Sequence, residues 1–241
     1  MVLSPKAGPT GDSVRCARLE LQGICLQLGD TILLSDLDLT VTADSVTTLM
    51  GPSGCGKSSL LAYVCGTLAL EFSAKGSIFL NGTNIMPLPP EKRRVGILFQ
   101  DDLLFPHMSV GENLAFGLSP MILGRDERRR RVEEALVEAG LKGMAERDPA
   151  TLSGGQRARV AVMRTLLSEP RALLLDEPFS GLDMAMREQF RRFVFDHARI
   201  NAIPTLLVTH DPASAASAAG PIIEFPIPIS PTASTRSCHA P

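Results

Sequence analysis

The eight residues Gly51–Ser58, GPSGCGKS, constrain this chain more than any other stretch. They match the pattern GxxxxGK[ST] directly after a short apolar run, Val46–Met50, and directly before helical spacing from Lys57 to Leu70. A strand, a glycine turn and a helix in that order form a cradle for an anion. Glycines at 51, 54 and 56 let the backbone amides turn inward, Lys57 brings a cation to the β and γ phosphates, and the Ser58 hydroxyl can ligate Mg²⁺. The helix that opens at Lys57 adds the positive end of its dipole. The expected fold class is therefore α/β, with a phosphate-binding P-loop between strand and helix.

A second element supplies carboxylates. Ala172–Pro178, ALLLDEP, is an apolar run ending in Asp176 and Glu177. A strand this apolar is buried on both faces, so the two acids emerge at its C-terminal edge, where parallel α/β sheets bind ligands. Asp176 suits a metal ligand, and Glu177 is left free to polarise a water. A third element, Leu152–Gln156 (LSGGQ), precedes the helical pattern RARVAVMRTLL. Ser153 can cap that helix, while Gly154 and Gly155 present its first amides to an anion. One chain thus carries two phosphate cradles.

With these three elements the sequence resembles an ABC transporter ATPase subunit, from about residue 16 to 225, and LSGGQ is similar to that family's signature. The resemblance implies an antiparallel β subdomain and an inserted α-helical lobe at about residues 101–165, within a single domain over residues 14–225. It implies that ATP binds at Gly51, Pro52, Ser53, Gly54, Cys55, Gly56, Lys57, Ser58 and Ser59, and at Ser153, Gly154, Gly155 and Gln156. Mg²⁺ falls to Ser58, Gln100 and Asp176; Glu177, His210 and Gln100 are the catalytic candidates, Gln100 matching the family's Q-loop and His210 its switch histidine. Ser180–Asp183, SGLD, resembles the D-loop. The family's working unit is a head-to-tail homodimer with two ATP molecules sandwiched between one chain's P-loop and the other's LSGGQ. The stretch FPHMSVGENLAFGL resembles the loop that docks to the membrane permease in binding-protein-dependent importers, although Leu114, Phe116 and Leu118 would equally pack a helical lobe. Expected partners are thus integral membrane permease subunits and a solute-binding protein. The expected location is the cytoplasmic face of the cell membrane, and the alternative is a soluble ABC-type ATPase not coupled to transport. Two departures stand out: Leu28 occupies the place where the family sets an aromatic ring on adenine, and Ser59 stands where threonine is common.

Composition narrows the rest. With 24 Lys plus Arg against 26 Asp plus Glu in 241 residues, the net charge of −2 argues against a nucleic-acid partner, which calls for a basic excess. The five cysteines form no CxxC pair and read as free thiols. Among them, Cys55 is either a thiolate activated by Lys57 and the helix terminus or a buried, inert thiol. The N-terminus has no apolar run of signal-peptide type, no stretch is long enough to span a bilayer, and residues 226–241 are expected to be a disordered tail rather than a further domain. Residues 14–41 alternate as a small antiparallel sheet should, and GSIFLNGTNI reads as a hairpin turning at Asn81 and Gly82. The Arg128–Arg131 run reads as a solvated helix face paired with Glu133 and Glu134.

Overall fold

The computed structural model describes residues 17–225, apart from Gly181, Asp183 and the side chains of Met184 and Ala185. The tail, Cys16, Cys238 and half of the D-loop stretch lie outside the described residues. Two sheets form the frame. The first is antiparallel, with order β2-β1-β4-β5, from β1 (Arg18–Leu28), β2 (Thr31–Thr42), β4 (Phe72–Leu80) and β5 (Thr83–Asn84). As expected, the β4–β5 hairpin turns at Asn81 and Gly82, both with positive φ. The second is wholly parallel, with order β6-β7-β8-β3-β9, from β3 (Val46–Met50), β6 (Val95–Leu98), β7 (Ala172–Asp176), β8 (Thr205–Thr209) and β9 (Ile222–Glu224).

The central strands of the parallel sheet are buried on both sides, and alternate residues feed two different cores. Leu174, Leu206 and Val208 join Leu49 and the antiparallel sheet around α1 (Lys57–Cys65). Leu173, Leu175 and Leu207 face the opposite way, into a core built with α2 (Val110–Gly117), α3 (Arg125–Glu138), α4 (Gly154–Leu167) and α5 (Met184–Ile200). The helices α2, α3 and α4 lie between β6 and β7, the interval where the inserted helical lobe was expected. α6 (Pro212–Ala218) begins just after β8.

Two expectations need correction. α1 ends at Cys65 rather than running on to Leu70, because Gly66 takes a left-handed conformation at φ 79 and closes the helix through bonds to the Ala62 and Tyr63 carbonyls. Arg93, itself buried, donates to the Tyr63 and Val64 carbonyls and so caps that end with a cation; a Cβ at residue 66 would stand 2.6 Å from its guanidinium carbon. The arginine run of α3 also differs in detail. Arg130 pairs with Glu127 and Glu134, Arg131 pairs with Glu127, and Arg128 turns away to donate to the carbonyls of Ala115, Ser119 and Ile122. The run is a helix face and lobe fastener, and Arg130 and Arg131 together hold the Glu127 carboxyl at about 2.

Candidate functional site

Four strand ends and one helix start meet at the C-terminal edge of the parallel sheet. The turn after β3 carries Gly51–Gly56 into α1, and a cavity of about 320 Å³ opens over it. Its walls include Ser53, Gly54, Gly56, Lys57, Ser58 and Ser59 from the turn and helix, Gln100 from beyond β6, and Asp176 and Glu177 from the end of β7. The Lys57 ammonium is buried and donates to the carbonyls of Gly51 and Pro52, each at 2.7 Å, which fixes it at the floor of the turn. Gly51 and Pro52 therefore act through their carbonyls. Cys55 is only 2% exposed and holds its Sγ 3.8 Å from Lys57 Nζ, so its thiol faces inward, as the inert alternative requires. Of the other thiols, Cys65 is also buried, and burial pushes it up to about 11.

The carboxylates occupy different environments. Burial lifts the Asp176 carboxyl above its ordinary value; a hydrogen bond from the Ser58 hydroxyl opposes the rise, Glu177 adds to it and Lys57 counters it. Ser58, Asp176 and the Gln100 amide present only oxygen donors, the set that suits a hard divalent cation such as Mg²⁺. Among the described residues no cluster of three His, Cys, Asp or Glu could hold a metal alone, so such an ion needs phosphate oxygens to complete its shell. Glu177 sits in left-handed backbone at φ 47, where a non-glycine residue is strained. The turn holds it there: the Glu177 amide donates to the Val208 carbonyl at 3.0 Å, and its carbonyl accepts from the Ser180 amide and hydroxyl. His210, just past β8, brings Nδ1 to 2.7 Å from Glu177 Oε2. Residues far apart in sequence thus form one group around the P-loop.

The signature stretch stands elsewhere. Ser153 Oγ accepts from the Gln156 amide at 3.3 Å and Gln156 Oε1 accepts from the Ser153 amide at 2.9 Å, a reciprocal capping box that starts α4. None of Ser153, Gly154, Gly155 and Gln156 lines the P-loop cavity; Gly154 borders a separate groove that shares Gln100 with it. Gly154 is exposed as expected, but Gly155 is buried. A Cβ there would fall 1.5 Å from Met186 Sδ on α5, so any larger residue would have to displace that thioether.

Sequence reasoning missed part of the cavity wall. Leu28, 40% exposed, does line it, together with Leu33 and Phe72. In the β1–β4 register Leu28 lies opposite Phe72, so an aromatic ring reaches the cavity from the neighbouring strand. Only the strand pairing discloses it.

Comparison with known proteins accords with this geometry. The family model described as ABC transporter matches residues 34–180. The chain belongs to the ABC transporter family. It is an ATP-binding subunit of that family and an ATP hydrolase. The ABC transporter ATP-binding protein YnjD of Escherichia coli (strain K12), itself uncharacterized, is 51% identical over 191 residues, covering 79% of this ABC subunit and 88% of that protein. The Fe(3+) ions import ATP-binding protein FbpC 1 of Rhizobium meliloti (strain 1021) is 42% identical over 202 residues; the match covers 84% of this subunit but 56% of the longer relative. Among solved structures, the dimeric post-hydrolysis state of the ATP-binding cassette MJ0796, bound to ADP and Pi, superposes with a TM-score of 0.73 at 27% identity, over 86% of this chain and 94% of that one.

Proposed function

We propose that this ATPase works as a head-to-tail pair that energises solute import through a separate membrane permease. The observation that carries the reading is the separation of the two cradles: the P-loop, Asp176, Glu177 and Gln100 share one cavity, His210 is tied to it through Glu177, and Ser153–Gln156 lies outside it. A signature that cannot reach its own chain's nucleotide is used by facing another chain's, and the dimeric state of the MJ0796 neighbour supports that arrangement. In the pair, Lys57 and the P-loop amides hold the ATP phosphates, and Leu28 and Phe72 flank the base. Bound through Ser58, Asp176 and Gln100, Mg²⁺ would neutralise phosphate charge. Glu177 takes a proton from the attacking water as its oxygen bonds to the γ phosphorus and the bond to ADP breaks. His210 keeps the Glu177 carboxylate aimed at that water.

Coupling to a permease rests on a surface feature. Among the described residues no helix is long and apolar enough to cross a membrane. Next to Gln100, Phe99 and Leu103 are exposed, and so is Phe116 on α2 at 63%. Leu114 and Leu118 are buried in the lobe core, so of Leu114, Phe116 and Leu118 two pack inward and Phe116 faces out, edge-on to Phe105 at 4.7 Å. These exposed apolar side chains are where a permease at the cytoplasmic face of the membrane would seat. The name of FbpC 1 supports import.

The test is a Glu177→Gln variant in Mg²⁺ and ATP. Turnover should fall by about 10²- to 10⁴-fold, and sedimentation should show an ATP-dependent dimer. A variant that stays monomeric and keeps turnover within threefold of the original would overturn the reading. For the permease, a cysteine at Phe116 should crosslink to a co-expressed permease, and its failure in an intact complex would remove the docking assignment.

A further inference from the structure

The loop after Gln100 is fastened to the helix that starts in the signature. Arg157, the residue following Gln156, donates through Nε to Asp102 Oδ2 at 2.8 Å and through Nη1 to the Leu152 carbonyl at 3.0 Å. One guanidinium therefore joins the first residue of the signature to a carboxylate two positions past Gln100. Two turns further along the same face of α4, Arg164 donates to the Leu103 carbonyl at 2.9 Å and the Asp102 carbonyl at 3.3 Å, and lies over the Phe105 ring at 5.2 Å. Leu103 takes left-handed backbone at φ 45, a conformation leucine rarely adopts, in the very residue whose carbonyl Arg164 holds. With a single residue between Gln100 and Asp102, a displacement of one is passed to the other.

Gln100 stands on the wall shared by the P-loop cavity and the groove under α4, where Asp102 and Arg157 are also found. We propose that the Asp102–Arg157 pair is a positioning element that sets the orientation of Ser153–Gln156 according to where Gln100 stands; this rests on the reading that the signature receives a partner's nucleotide. The pair is suited to orientation rather than to stability. The Arg157 and Asp102 side chains are 38% and 28% exposed, a setting in which ion pairs add little to folding, whereas the planar fork of an arginine fixes two acceptors at a set angle.

Two measurements test it. In the Glu177→Gln background, Asp102→Asn and Arg157→Gln should each weaken Mg²⁺-ATP-dependent dimerisation about three- to fivefold. The double variant should be no worse than the poorer single one, because each residue acts through the other. Affinity of the P-loop for a fluorescent ATP analogue, measured below the dimerising concentration, should stay within twofold. Single variants without effect, losses that multiply in the double variant, or an equal loss of P-loop affinity would each overturn the proposal. Independently of any dimer, Asp102→Asn should speed amide exchange both at residues 101–104 and at 156–159 of the unliganded protein. Unchanged exchange at 156–159 would overturn it as well. A Glu177→Gln reference that never dimerises would refute the dimer reading, while the exchange measurement still decides the link.

Discussion

The two phosphate cradles are built on opposite plans. At the P-loop a buried lysine, an oxygen-rich wall and a glycine turn surround a cavity, so charge, shape and metal donors are all supplied by one chain. At the signature no lysine or arginine lies within Leu152–Gln156. Its serine and glutamine are occupied in capping each other, and its buried glycine is roofed by Met186. The first plan can capture a nucleotide from solution. The second brings no charge of its own, and in the proposed head-to-tail pair it would add contacts to a nucleotide that another chain already holds, which would make hydrolysis depend on assembly.

The largest expected effect breaks the comparison at its stronger side. Lys57→Ala removes the buried cation and should weaken ATP binding by the monomer about 10²-fold or more, at the scale of breaking a buried hydrogen-bonded charge pair; titration with labelled ATP reads it directly. At the weaker side, Gly155→Ala forces a Cβ against Met186. Turnover should fall by roughly tenfold or more, the order of 1 to 3 kcal/mol for overpacking, with monomer ATP affinity within twofold. Adding Met186→Ala should recover part of the loss, and a Gly155→Ala enzyme of normal turnover would show that the signature tolerates displacement.

A smaller effect sharpens what the P-loop side contributes beyond phosphate. If Phe72 supplies the aromatic face for the base, Phe72→Ala should lower ATP affinity by about two- to tenfold, the worth of one ring contact. Leu28→Tyr should raise it. Most of the binding would still come from phosphate contacts, so ATP and GTP should differ little in the original protein. A preference for ATP above about twentyfold, untouched by either substitution, would move the base elsewhere.

The smallest effect concerns stability. Burial raises the Asp176 carboxyl above its unfolded value, so the ionised form costs folding free energy. The cost is absent below the unfolded value, grows as pH rises through the ordinary carboxylate range, and is complete above the raised folded value. Asp176→Asn should therefore raise Tm at neutral pH by about 2 °C, even though the variant has lost a metal ligand. The gain should vanish near pH 3, and a Tm that falls at both pH values would contradict the assignment of the raised carboxyl.

Much of this site was legible because its chemistry is local in sequence. GPSGCGKS, LLLDE and LSGGQ each declare a backbone shape and a charge within a few residues, and the structure puts Lys57, Ser58, Asp176, Glu177 and Gln100 around one cavity. What stayed hidden depends on pairing across the chain. Phe72 reaches the cavity only through its register with Leu28. The early end of α1 was partly visible, since Gly66 is a helix-stop residue, but its cap comes from Arg93. The burial of Gly155 is decided by Met186, on a different helix. Phe116 and its neighbours Leu114 and Leu118 could not be divided into outward and inward residues without knowing where α2 packs.

The strand order carries a consequence for how the protein is made. β3 delivers the P-loop, yet its neighbours in the sheet are β8 and β9, at residues 205–209 and 222–224. The antiparallel sheet, by contrast, is complete once residues 18–84 have left the ribosome. During synthesis, therefore, the strand that anchors the nucleotide turn waits unpaired while more than half of the chain is still being translated. A fragment ending before residue 205 would carry the full GPSGCGKS motif on a strand that lacks both of its sheet neighbours, with only the antiparallel sheet and α1 to pack against.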